Sequence, residues 1–239
     1  MHVSPLSLPA PAYVEETRFG NWFLNTPTWK THVLCRALDD LQTLLPPGAG
    51  PFESIVDVGC GFGHSFAELA RRFHPRQIIG LDAAPELQQR TAEAVASCVS
   101  PVQLLECHAA AIALPEASVD MVFCHQTFHH IVEQEAALAE FFRVLKPGGC
   151  LLFAESTRYY IHSLPIKLLF RHPMDVQRTA DEYLAQLRSA GFAFERSNIS
   201  LPYLWWSRPD LGFFEWLGRP VPTQRNETMV NLVARKPQV

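Results

Sequence analysis

The sequence predicts a doubly wound α/β fold with a mostly parallel sheet of seven strands. Three observations support this prediction. From residue 52 onward, short apolar runs alternate with helical patterns, and a glycine-rich turn follows the first apolar run. In addition, 48% of the 239 residues are hydrophobic, which is enough for a large core. Strand, helix and strand in succession imply parallel strands joined by right-handed crossovers, with helices on both faces of the sheet.

The alternating part of the chain contains five predicted strands and three predicted helices. The strands are expected at Ser54–Val58, Gln77–Leu81, Val102–Glu106, Met121–His125 and Cys150–Glu155. The helices are expected at His64–Phe73, Pro85–Ser97 and Gln134–Leu145, the last of them ended by Pro147-Gly148-Gly149. Beyond this part, the pattern predicts a helix at Thr179–Ala190 and two further strands at Phe192–Ile199 and Met229–Ala234.

The chain divides into an N-terminal segment and one main domain. Residues 1–50 are predicted to form an arm and a lid helix, and residues 51–239 the main domain. The arm is rich in proline, serine and alanine, whereas apolar residues at helical spacing predict a helix over Thr28–Leu45. Two stretches near 156–178 and 201–221 do not follow the alternating pattern and are interpreted as insertions.

Composition limits the partners that the chain can have. A net charge of -4, with no run of Lys or Arg, argues against a nucleic-acid partner. The six cysteines form no C-x-x-C pair, which fits reduced, buried thiols in a cytoplasmic protein. No signal-peptide pattern is present, and no apolar run approaches the roughly 20 residues that span a bilayer. We therefore expect a cytoplasmic protein without a membrane span, and a homodimer is left open.

The segment IVDVGCGFGHSFAELARRF, from Ile55 to Phe73, places three glycines in the turn between a predicted strand and a helix. Gly59 allows a sharp turn out of the strand, and Gly61 lets a ligand approach the backbone. Gly63 lets the helix start close to the sheet. The start of that helix presents unpaired N–H groups, which favour an anionic group on a ligand.

Two acidic residues near this turn indicate which ligand it binds. A dinucleotide site would show the spacing G-x-G-x-x-G, whereas the pattern here is D-V-G-C-G-F-G. Asp57, two residues before the first glycine, would repel a pyrophosphate but could pair with an amino group. Asp82 ends the second strand, where a carboxylate can accept hydrogen bonds from both hydroxyls of a ribose. Amine, carboxylate and ribose on one ligand describe S-adenosylmethionine.

Four motifs follow one another along the chain: VDVGCGFGHS, IIGLDAAPELQQR, AIALPEASVDMVFCHQTFHHI and AEFFRVLKPGGCLLFAES. In their order and separations they resemble the class I S-adenosylmethionine-dependent methyltransferases, within the type 11 small-molecule group. The resemblance covers residues 52–155 and resumes at 179–199. It implies a Rossmann-like methyltransferase fold and S-adenosyl-L-methionine as the cofactor.

The resemblance also implies which residues bind the cofactor. Those expected to contact it are Asp57, Gly59, Cys60, Gly61, Gly63, Asp82, Ala83, Leu87, His108, Ala109 and Cys124. Asp57 and the glycine turn would hold the methionine half, and Asp82 would hold the ribose. Ala83 and Leu87 would flank the adenine. Cys124 and His125 would border the sulfonium.

One position departs from the family pattern. Where many relatives carry Gly-Asp-Ala, this chain has Cys107-His108-Ala109. The acid that usually accepts a hydrogen bond from the adenine amino group is thus replaced by His108. A neutral imidazole is expected to accept the same hydrogen bond.

Three histidines are candidates for activating the methyl acceptor. Methyl transfer from a sulfonium is an in-line displacement that needs alignment and, for a poor nucleophile, a base. His125, His129 and His130, in FCHQTFHHIVEQ, could take a proton from a phenol, enol or amine. The alternative is that FHHI is a structural turn whose second histidine bonds to the backbone. No carboxylate or cysteine completes a zinc site with these histidines or His108, so no metal is expected.

Aromatic residues outside the alternating scaffold predict a pocket for an apolar acceptor. The candidate pocket residues are Tyr13, Phe19, Trp22, Glu155, Tyr159, Trp205 and Trp206. Glu155 ends the fifth strand, where it would be an active-site carboxylate or a cap for the next helix. The aromatic stretch Tyr203–Trp216 would form a lid or a pocket wall, and a dimer contact or core packing are the alternatives.

The sequence therefore predicts an enzyme that transfers a methyl group from S-adenosylmethionine to a small, largely apolar molecule, at oxygen or carbon. N-methylation of a small amine is one alternative. Another is an inactive scaffold that binds the cofactor and uses the Trp-rich insertion for a partner. A protein or nucleic-acid methyltransferase is disfavoured, because the chain lacks an Asn-Pro-Pro-aromatic motif and a basic face.

Overall fold

One sheet organises the molecule. The computed structural model describes residues 16–238, and the strands within them form a seven-stranded sheet in the order β3-β2-β1-β4-β5-β7-β6. Strands β1 to β5 pair in parallel, whereas β7 runs antiparallel to both of its neighbours. The prediction of a doubly wound, mostly parallel sheet is confirmed. The strands are β1 (Ser54–Val58), β2 (Gln77–Asp82), β3 (Val102–Glu106), β4 (Val119–His125), β5 (Leu145–Ser156), β6 (Ile199–Ser200) and β7 (Met229–Arg235).

Each helix predicted from the sequence between residues 28 and 190 is present. The helical run predicted at Thr28–Leu45 is present as two α-helices joined by a π-helix at Lys30–Cys35. None of the helices in residues 16–238 combines the length and apolar character that crossing a bilayer requires. The α-helices are α1 (Arg18–Leu24), α2 (Pro27–Trp29), α3 (Arg36–Leu44), α4 (His64–Phe73), α5 (Leu87–Ser97), α6 (Gln134–Val144), α7 (Arg158–Ile161), α8 (Leu164–Leu169), α9 (Ala180–Ser189) and α10 (Phe213–Trp216).

Helices cover both faces of the sheet. On one face, α3 and α4 contribute Leu38 and Phe66 to a buried cluster with β1 and β2. On the other face, α6 and α9 contribute Phe141 and Tyr183 to a second cluster with β4 and β5. Because both faces are buried, the central strands read as nearly continuous apolar runs in the sequence.

The strand predicted at Phe192–Ile199 is wrong over most of its length. Ile199–Ser200 extends the sheet as β6, and Ala193 forms an isolated antiparallel bridge with Arg235, whereas the residues between them are not strand. Just before β6, Arg196–Asn198 form a 3₁₀ turn, and the Glu195 N–H donates to the Asn198 side-chain oxygen over 3.0 Å. Local hydrogen bonds between side chain and backbone compete with strand pairing, and here they replace it.

The two insertions add short helices at the carboxyl edge of the sheet. The first, near 156–178, contains α7, α8 and a 3₁₀ turn at Met174–Val176. The second, near 201–221, contains a 3₁₀ turn at Trp205–Ser207 and α10. Neither insertion is one regular element, and residues of both line the same cavity.

Gly63, at the start of α4, allows close packing between helices rather than between helix and sheet. Its φ is 74°, and an added Cβ would lie 2.6 Å from the Phe66 ring and 2.9 Å from the Ala94 Cβ. Gly48 has nearly the same φ, 76°, but no described atom lies within 4 Å of its added Cβ. A side chain at position 48 would therefore introduce backbone strain alone, whereas one at position 63 would add steric overlap.

We expect Gly63→Ala to lower the free energy of unfolding by about 2–4 kcal/mol, since overlap adds to the cost of a positive φ. Gly48→Ala, the matched control, should lower it by about 1 kcal/mol, since it introduces the backbone strain alone. Urea denaturation of both variants measures the difference. Equal losses would contradict a packing role for Gly63.

Candidate active site

Three adjoining cavities open at the carboxyl edge of the sheet, around the turn that follows β4. We name them the Asp82 cavity, about 170 Å³, the Asp57 cavity, about 80 Å³, and the apolar cavity, about 330 Å³. Gln126 lines all three of them. This edge is where doubly wound folds bind ligands, because β1 and β4 are neighbours at the point where the strand order reverses.

The turn after β1 leaves part of its backbone open to both polar cavities. Gly61 has a φ of 55°, and no described atom lies within 4 Å of the position that a Cβ would take. Its N–H donates to Asp82 Oδ2 over 2.8 Å. The N–H groups of Gly59 and Cys60 donate to the Leu81 carbonyl over 2.7 and 3.1 Å. The turn is therefore fixed to the end of β2, and space for a ligand remains over Gly61.

The Asp57 carboxyl group is buried at the edge of its cavity. It is 2% exposed and accepts a hydrogen bond from Ser65 Oγ. Burial raises the pKa of Asp57 to about 7; the Ser65 hydrogen bond opposes this rise, and the nearby Asp82 adds to it. No positive side chain of residues 16–238 contributes to this pKa. A buried carboxyl group of this kind favours a cationic group on a ligand.

The Asp82 cavity contains a carboxylate and an imidazole. Asp82 Oδ1 accepts the Ala84 N–H over 2.8 Å, and since each oxygen then has one backbone donor, each keeps a lone pair for a ligand. His108 Nδ1 accepts the Ala110 N–H over 3.2 Å, and burial lowers the pKa of His108. In the neutral ring the proton therefore lies on Nε2. That nitrogen is a donor, whereas an acceptor was expected from the sequence.

Glu155 holds the turn after β4. Its carboxylate is fully buried, and Oε1 accepts the N–H groups of Thr127 and Phe128 over 2.8 and 2.7 Å. Oε2 lies 2.6 Å from His129 Nδ1, which donates to it in the tautomer protonated there. Glu155, on β5, therefore caps the 3₁₀ turn Phe128–His130, which follows the neighbouring strand β4. It is neither a carboxylate open to an acceptor nor a cap for the next helix, the two alternatives considered from the sequence.

His129, His130 and His172 lie together at the apolar cavity, and we call them the histidine cluster. Their ring centroids are 4.4, 5.1 and 4.7 Å apart. Burial lowers the pKa of His130 well below its ordinary value, and it lowers the pKa of His172 to about 3; in both cases His129 adds to the effect. These two rings are therefore neutral at pH 7 and keep one lone pair each.

His125 lies apart from the histidine cluster. It lines the Asp57 cavity, between the rings of Phe123 and Trp29 at centroid distances of 5.8 and 5.6 Å. Burial, followed by His129, lowers the pKa of His125 to about 3. Its Nε2 has no hydrogen-bond partner among residues 16–238. His125 thus borders one of the two polar cavities and not the apolar one.

The lid helix α1 closes the apolar cavity together with the first insertion. Phe19 and Phe23 pack edge to face against Phe170, at centroid distances of 5.6 and 5.9 Å. Thr17 Oγ1, at the start of α1, donates to the Leu169 carbonyl over 2.6 Å. α1 lies ahead of the first strand, where the sequence predicts a lid, and its role as a lid stays a prediction.

Two of the predicted pocket residues do not line the apolar cavity as residues 16–238 define it. Trp22 and Tyr159 are 63% and 44% exposed. Their chain neighbours Phe23 and Tyr160 line it instead, and Tyr160 packs against Trp206 at 5.6 Å. Successive residues on a helix point about 100° apart, so one of two neighbours can be exposed while the other lines the cavity. Tyr13 lies outside the described residues, and the predicted residues that do line the cavity are Phe19, Trp205 and Trp206.

Most residues predicted to bind the cofactor line the two polar cavities. Three do not, within the described part of the chain. Gly63 faces Phe66 and Ala94, and Leu87 is 1% exposed and belongs to the core. Cys124 is buried on the opposite face of β4 from His125, and its thiol lies 3.7 Å from Glu155 Oε1. Those that line the cavities are Asp57, Gly59, Cys60, Gly61, Asp82, Ala83, His108 and Ala109.

Gln126 and His172 are site residues that the sequence did not reveal. Gln126 adopts a φ of 51° in the turn after β4. Its Oε1 accepts from Ser156 Oγ over 2.5 Å, and its buried Nε2 has no partner among residues 16–238. His172 belongs to the first insertion, far along the chain from the other histidines, so no spacing pattern connects them. Arg90 and Ile131, which line the Asp82 cavity, were also not predicted.

Comparison with known proteins gives a sequence match for the part of the chain that lines most of the Asp57 and Asp82 cavities. Residues 56–153 match a family described as a methyltransferase domain. The chain is 31% identical over 120 residues to malonyl-[acyl-carrier protein] O-methyltransferase from Methylovorus sp. (strain MP688), covering 48% of this chain and 38% of that protein. It is 31% identical over 101 residues to demethylmenaquinone methyltransferase from Deinococcus radiodurans, covering 42% of each. The chain spans less than half the length of these two curated relatives.

The fold agrees with the sequence match. A SAM-dependent methyltransferase from Aquifex aeolicus has a TM-score of 0.63 and 18% sequence identity, covering 91% of this chain and 97% of that one. At this identity the likeness shows the fold alone, whereas the sequence match covers the strands and turns around the Asp57 and Asp82 cavities. Residues 56–153 of this chain therefore belong to the class I S-adenosylmethionine-dependent methyltransferases, a family of enzymes whose cofactor is S-adenosyl-L-methionine.

Proposed function

We propose that the chain transfers the methyl group of S-adenosyl-L-methionine to a small, largely apolar acceptor, at oxygen or carbon. The observation that carries this proposal is the meeting of two polar cavities and one apolar cavity at the turn after β4, where Gln126 lines all three. A donor in the polar cavities and an acceptor in the apolar cavity would approach each other beside Gln126 and Leu24, which both line all three cavities.

The Asp57 cavity fits the methionine end of the cofactor. The Asp57 carboxyl group is buried without a positive side chain beside it in the described residues, and the ammonium of the cofactor would supply that charge. The open backbone at Gly61 leaves room for the ligand, since no described atom occupies the Cβ position. Both features support this end of the site for the charged part of the cofactor.

The Asp82 cavity fits the nucleoside end. Each Asp82 oxygen keeps a lone pair, so the carboxylate can accept hydrogen bonds from both ribose hydroxyls. His108 Nε2 would donate to a ring nitrogen of the adenine, since Nδ1 is already an acceptor for Ala110. Ala109 and Ile131 supply apolar surface for the base.

The cofactor supplies an electrophilic methyl group on a sulfonium, and the chain supplies alignment and exclusion of water. The contacts of α1 with the first insertion cover the apolar cavity, as the Thr17 and Phe170 contacts show. The unpartnered Gln126 amide is free to donate to an oxygen of the acceptor or the cofactor. We assign Gln126 a positioning role between the acceptor and the cofactor.

The lining of the apolar cavity supports an apolar acceptor. Phenylalanine, tryptophan, leucine and isoleucine side chains dominate it, and no Lys or Arg of residues 16–238 lines it. A nucleophilic group of such an acceptor would meet the histidine cluster, the main polar feature of the wall. The two relatives reported above act on different acceptors by name, a malonyl-acyl carrier protein and a demethylmenaquinone, so they do not specify which molecule enters this cavity.

Among the three candidate histidines, we assign acceptor activation to His129. The carboxylate of Glu155 fixes its Nδ1, which leaves the Nε2 lone pair available on the cavity side of the ring. His130 belongs to the same cluster, whereas His125 borders the Asp57 cavity and would contact the cofactor instead. An imidazole whose Nδ1 is fixed in this way can take a proton from the acceptor through Nε2.

We expect Asp57→Asn and Asp82→Asn each to weaken binding of S-adenosylmethionine by about 10- to 100-fold, since each removes a charged hydrogen-bond acceptor. Isothermal titration calorimetry measures this loss. Asp120→Asn is the control, because Asp120 accepts the Ser54 N–H at the opposite end of the sheet. This variant should bind the cofactor as the parent does. Unchanged affinity in both site variants would remove the assignment of the two cavities.

The raised pKa of Asp57 predicts a pH dependence of stability in the ligand-free protein. Because the folded-state pKa is about 7, the folded chain binds more protons than the unfolded chain between about pH 4 and pH 7. Asp57 therefore makes stability fall as pH rises through this window, by at most about 4 kcal/mol, with no further change above it. Asp57→Asn should remove this fall, because the asparagine has no proton to lose.

Urea denaturation of parent and Asp57→Asn at pH 4 and pH 8 tests this pH dependence. The difference in free energy of unfolding should move in favour of the variant at the higher pH. Saturating S-adenosylmethionine should reduce the fall in the parent, because the ammonium stabilises the charged carboxylate. A difference that is the same at both pH values would contradict the proposed state of Asp57.

The acceptor can be found by incubating the protein with methyl-labelled S-adenosylmethionine and a small-molecule extract, followed by mass identification of the labelled product. Phe23→Ala should then raise the KM for that acceptor by about 10-fold or more, since it removes apolar surface from the cavity wall. Trp22→Ala is the matched control on the same helix, because Trp22 is exposed and should leave KM unchanged. Equal effects of the two variants would contradict the assignment of the apolar cavity to the acceptor.

A further inference from the structure

We propose that the histidine cluster, His129, His130 and His172, binds one divalent transition-metal ion of the Zn²⁺ type, with an open coordination position toward the apolar cavity. One ligand atom from each residue lies within 4.8 Å of the others. Three imidazoles with one open position are a ligand set of catalytic zinc sites, and imidazole is a ligand that zinc and its neighbours prefer.

The distances require only a small closure of the rings. Zinc–nitrogen bonds of about 2.0–2.1 Å put the nitrogens of a tetrahedral set about 3.4 Å apart. The separation of up to 4.8 Å must therefore shrink by roughly 1.4 Å. His130 and His172 are half-buried and face a cavity of about 330 Å³, so their rings have space to turn.

His129 has the second contact that metal-binding histidines usually show. Its Nδ1 lies 2.6 Å from Glu155 Oε2, so the carboxylate fixes the tautomer and directs the Nε2 lone pair away from the core. Glu155 is itself fixed by two backbone N–H donors, those of Thr127 and Phe128. A carboxylate, a histidine and a metal in this order is a common arrangement in zinc sites.

Two buried amides hold the loop of His172 against the turn that bears the other two histidines. Gln177 Nε2 donates to the carbonyls of His129 and Pro173, both over 2.8 Å. Gln134 Nε2 donates to the carbonyls of Phe128 and Val176, over 3.4 and 3.0 Å. The three imidazoles are thus brought together by backbone contacts that do not depend on the rings themselves.

This site was not expected from the sequence, because the residue that completes it lies in the first insertion. The sequence grouped His129 and His130 with His125 and His108. The structure places His125 and His108 at the two polar cavities and brings His172 to the cluster instead. Among residues 16–238, these three residues are the group that could hold a metal ion.

The open position gives the acceptor a chemical class, and this step rests on the proposed function. A metal at the wall of the apolar cavity favours an acceptor with an anionic oxygen, such as a phenol or an enol, because the positive charge lowers the pKa of a bound hydroxyl group. O-methylation of such a group is then favoured over N-methylation. The metal would occupy Nε2 of His129, so in the metal-bound protein His129 would contribute to acceptor activation as a ligand of the metal, whereas in the metal-free protein it would act as the base.

Co²⁺ added to protein freed of metal by a chelator is the probe for this site. We expect one equivalent to bind and to give visible ligand-field bands without the near-ultraviolet charge-transfer band of a cysteine ligand. His172→Ala and His129→Ala should weaken binding by at least about 100-fold, and Glu155→Gln by about 10- to 100-fold. Glutamine at 155 can still accept from Thr127 and Phe128, but its amide nitrogen cannot accept from His129.

His162→Ala is the matched control, because His162 is exposed in the same insertion and lies outside the cluster. It should bind Co²⁺ as the parent does. Circular dichroism and the affinity for S-adenosylmethionine, measured on every variant, show whether the fold and the donor cavities are intact. His172→Asn provides a second, less disruptive variant should the alanine substitution unfold the loop.

The outcomes separate this proposal from the proposed function. No stoichiometric binding by the parent, binding that His172→Ala leaves unchanged, or a thiolate band overturns the metal site, even where methyl transfer is observed. Binding by the parent that is lost in His172→Ala and His129→Ala supports it, whether or not an acceptor has been found. Once the acceptor is known, chelation should abolish its methylation and Zn²⁺ should restore it. Activity that survives complete chelation overturns the role of the metal in that reaction.

Discussion

The buried carboxylate of Glu155 fixes the geometry on which the whole site depends. It accepts hydrogen bonds from two backbone N–H groups and contacts the ring of His129, all in the turn after β4. That turn carries Gln126, which borders all three cavities, and His129 and His130, which border the apolar one. A fully buried charge is stable only with such donors, so the same contacts that satisfy Glu155 also restrict where the turn can lie.

The polar and apolar sides of the site draw mainly on different parts of the chain. The Asp57 and Asp82 cavities are lined mostly by turns of the alternating scaffold, with Leu24 of α1 shared by all three cavities, and residues 56–153 of that scaffold match the methyltransferase domain family. The apolar cavity is closed by α1 and the two insertions, most of which lie outside that match. A fold of this kind conserves the place of the donor, while the segments added to it select the acceptor.

Electrostatics differ across the site in a way that suits the transfer of a charged group to an apolar molecule. The donor side has two carboxyl groups, of which Asp57 is buried and has a raised pKa. The acceptor side has neutral imidazoles at pH 7, since burial lowers the pKa values of His130 and His172. The Asp57 cavity therefore favours a cationic group, whereas the imidazoles of His130 and His172 bring no charge to the apolar cavity.

The sequence by itself determined the central strands, the helices between them and most of the residues around the two polar cavities, because apolar runs, helical spacing and glycine turns are local patterns. It mistook 192–199 for a strand, since local side-chain hydrogen bonds at Asn198 outweigh pairing there. Only the tertiary structure decided that Tyr160 and Phe23 line the apolar cavity, that Cys124 lies in the core and not at the polar cavities, and that His172 joins His129 and His130. These facts depend on how distant segments pack against one another, and no spacing within the sequence records that packing.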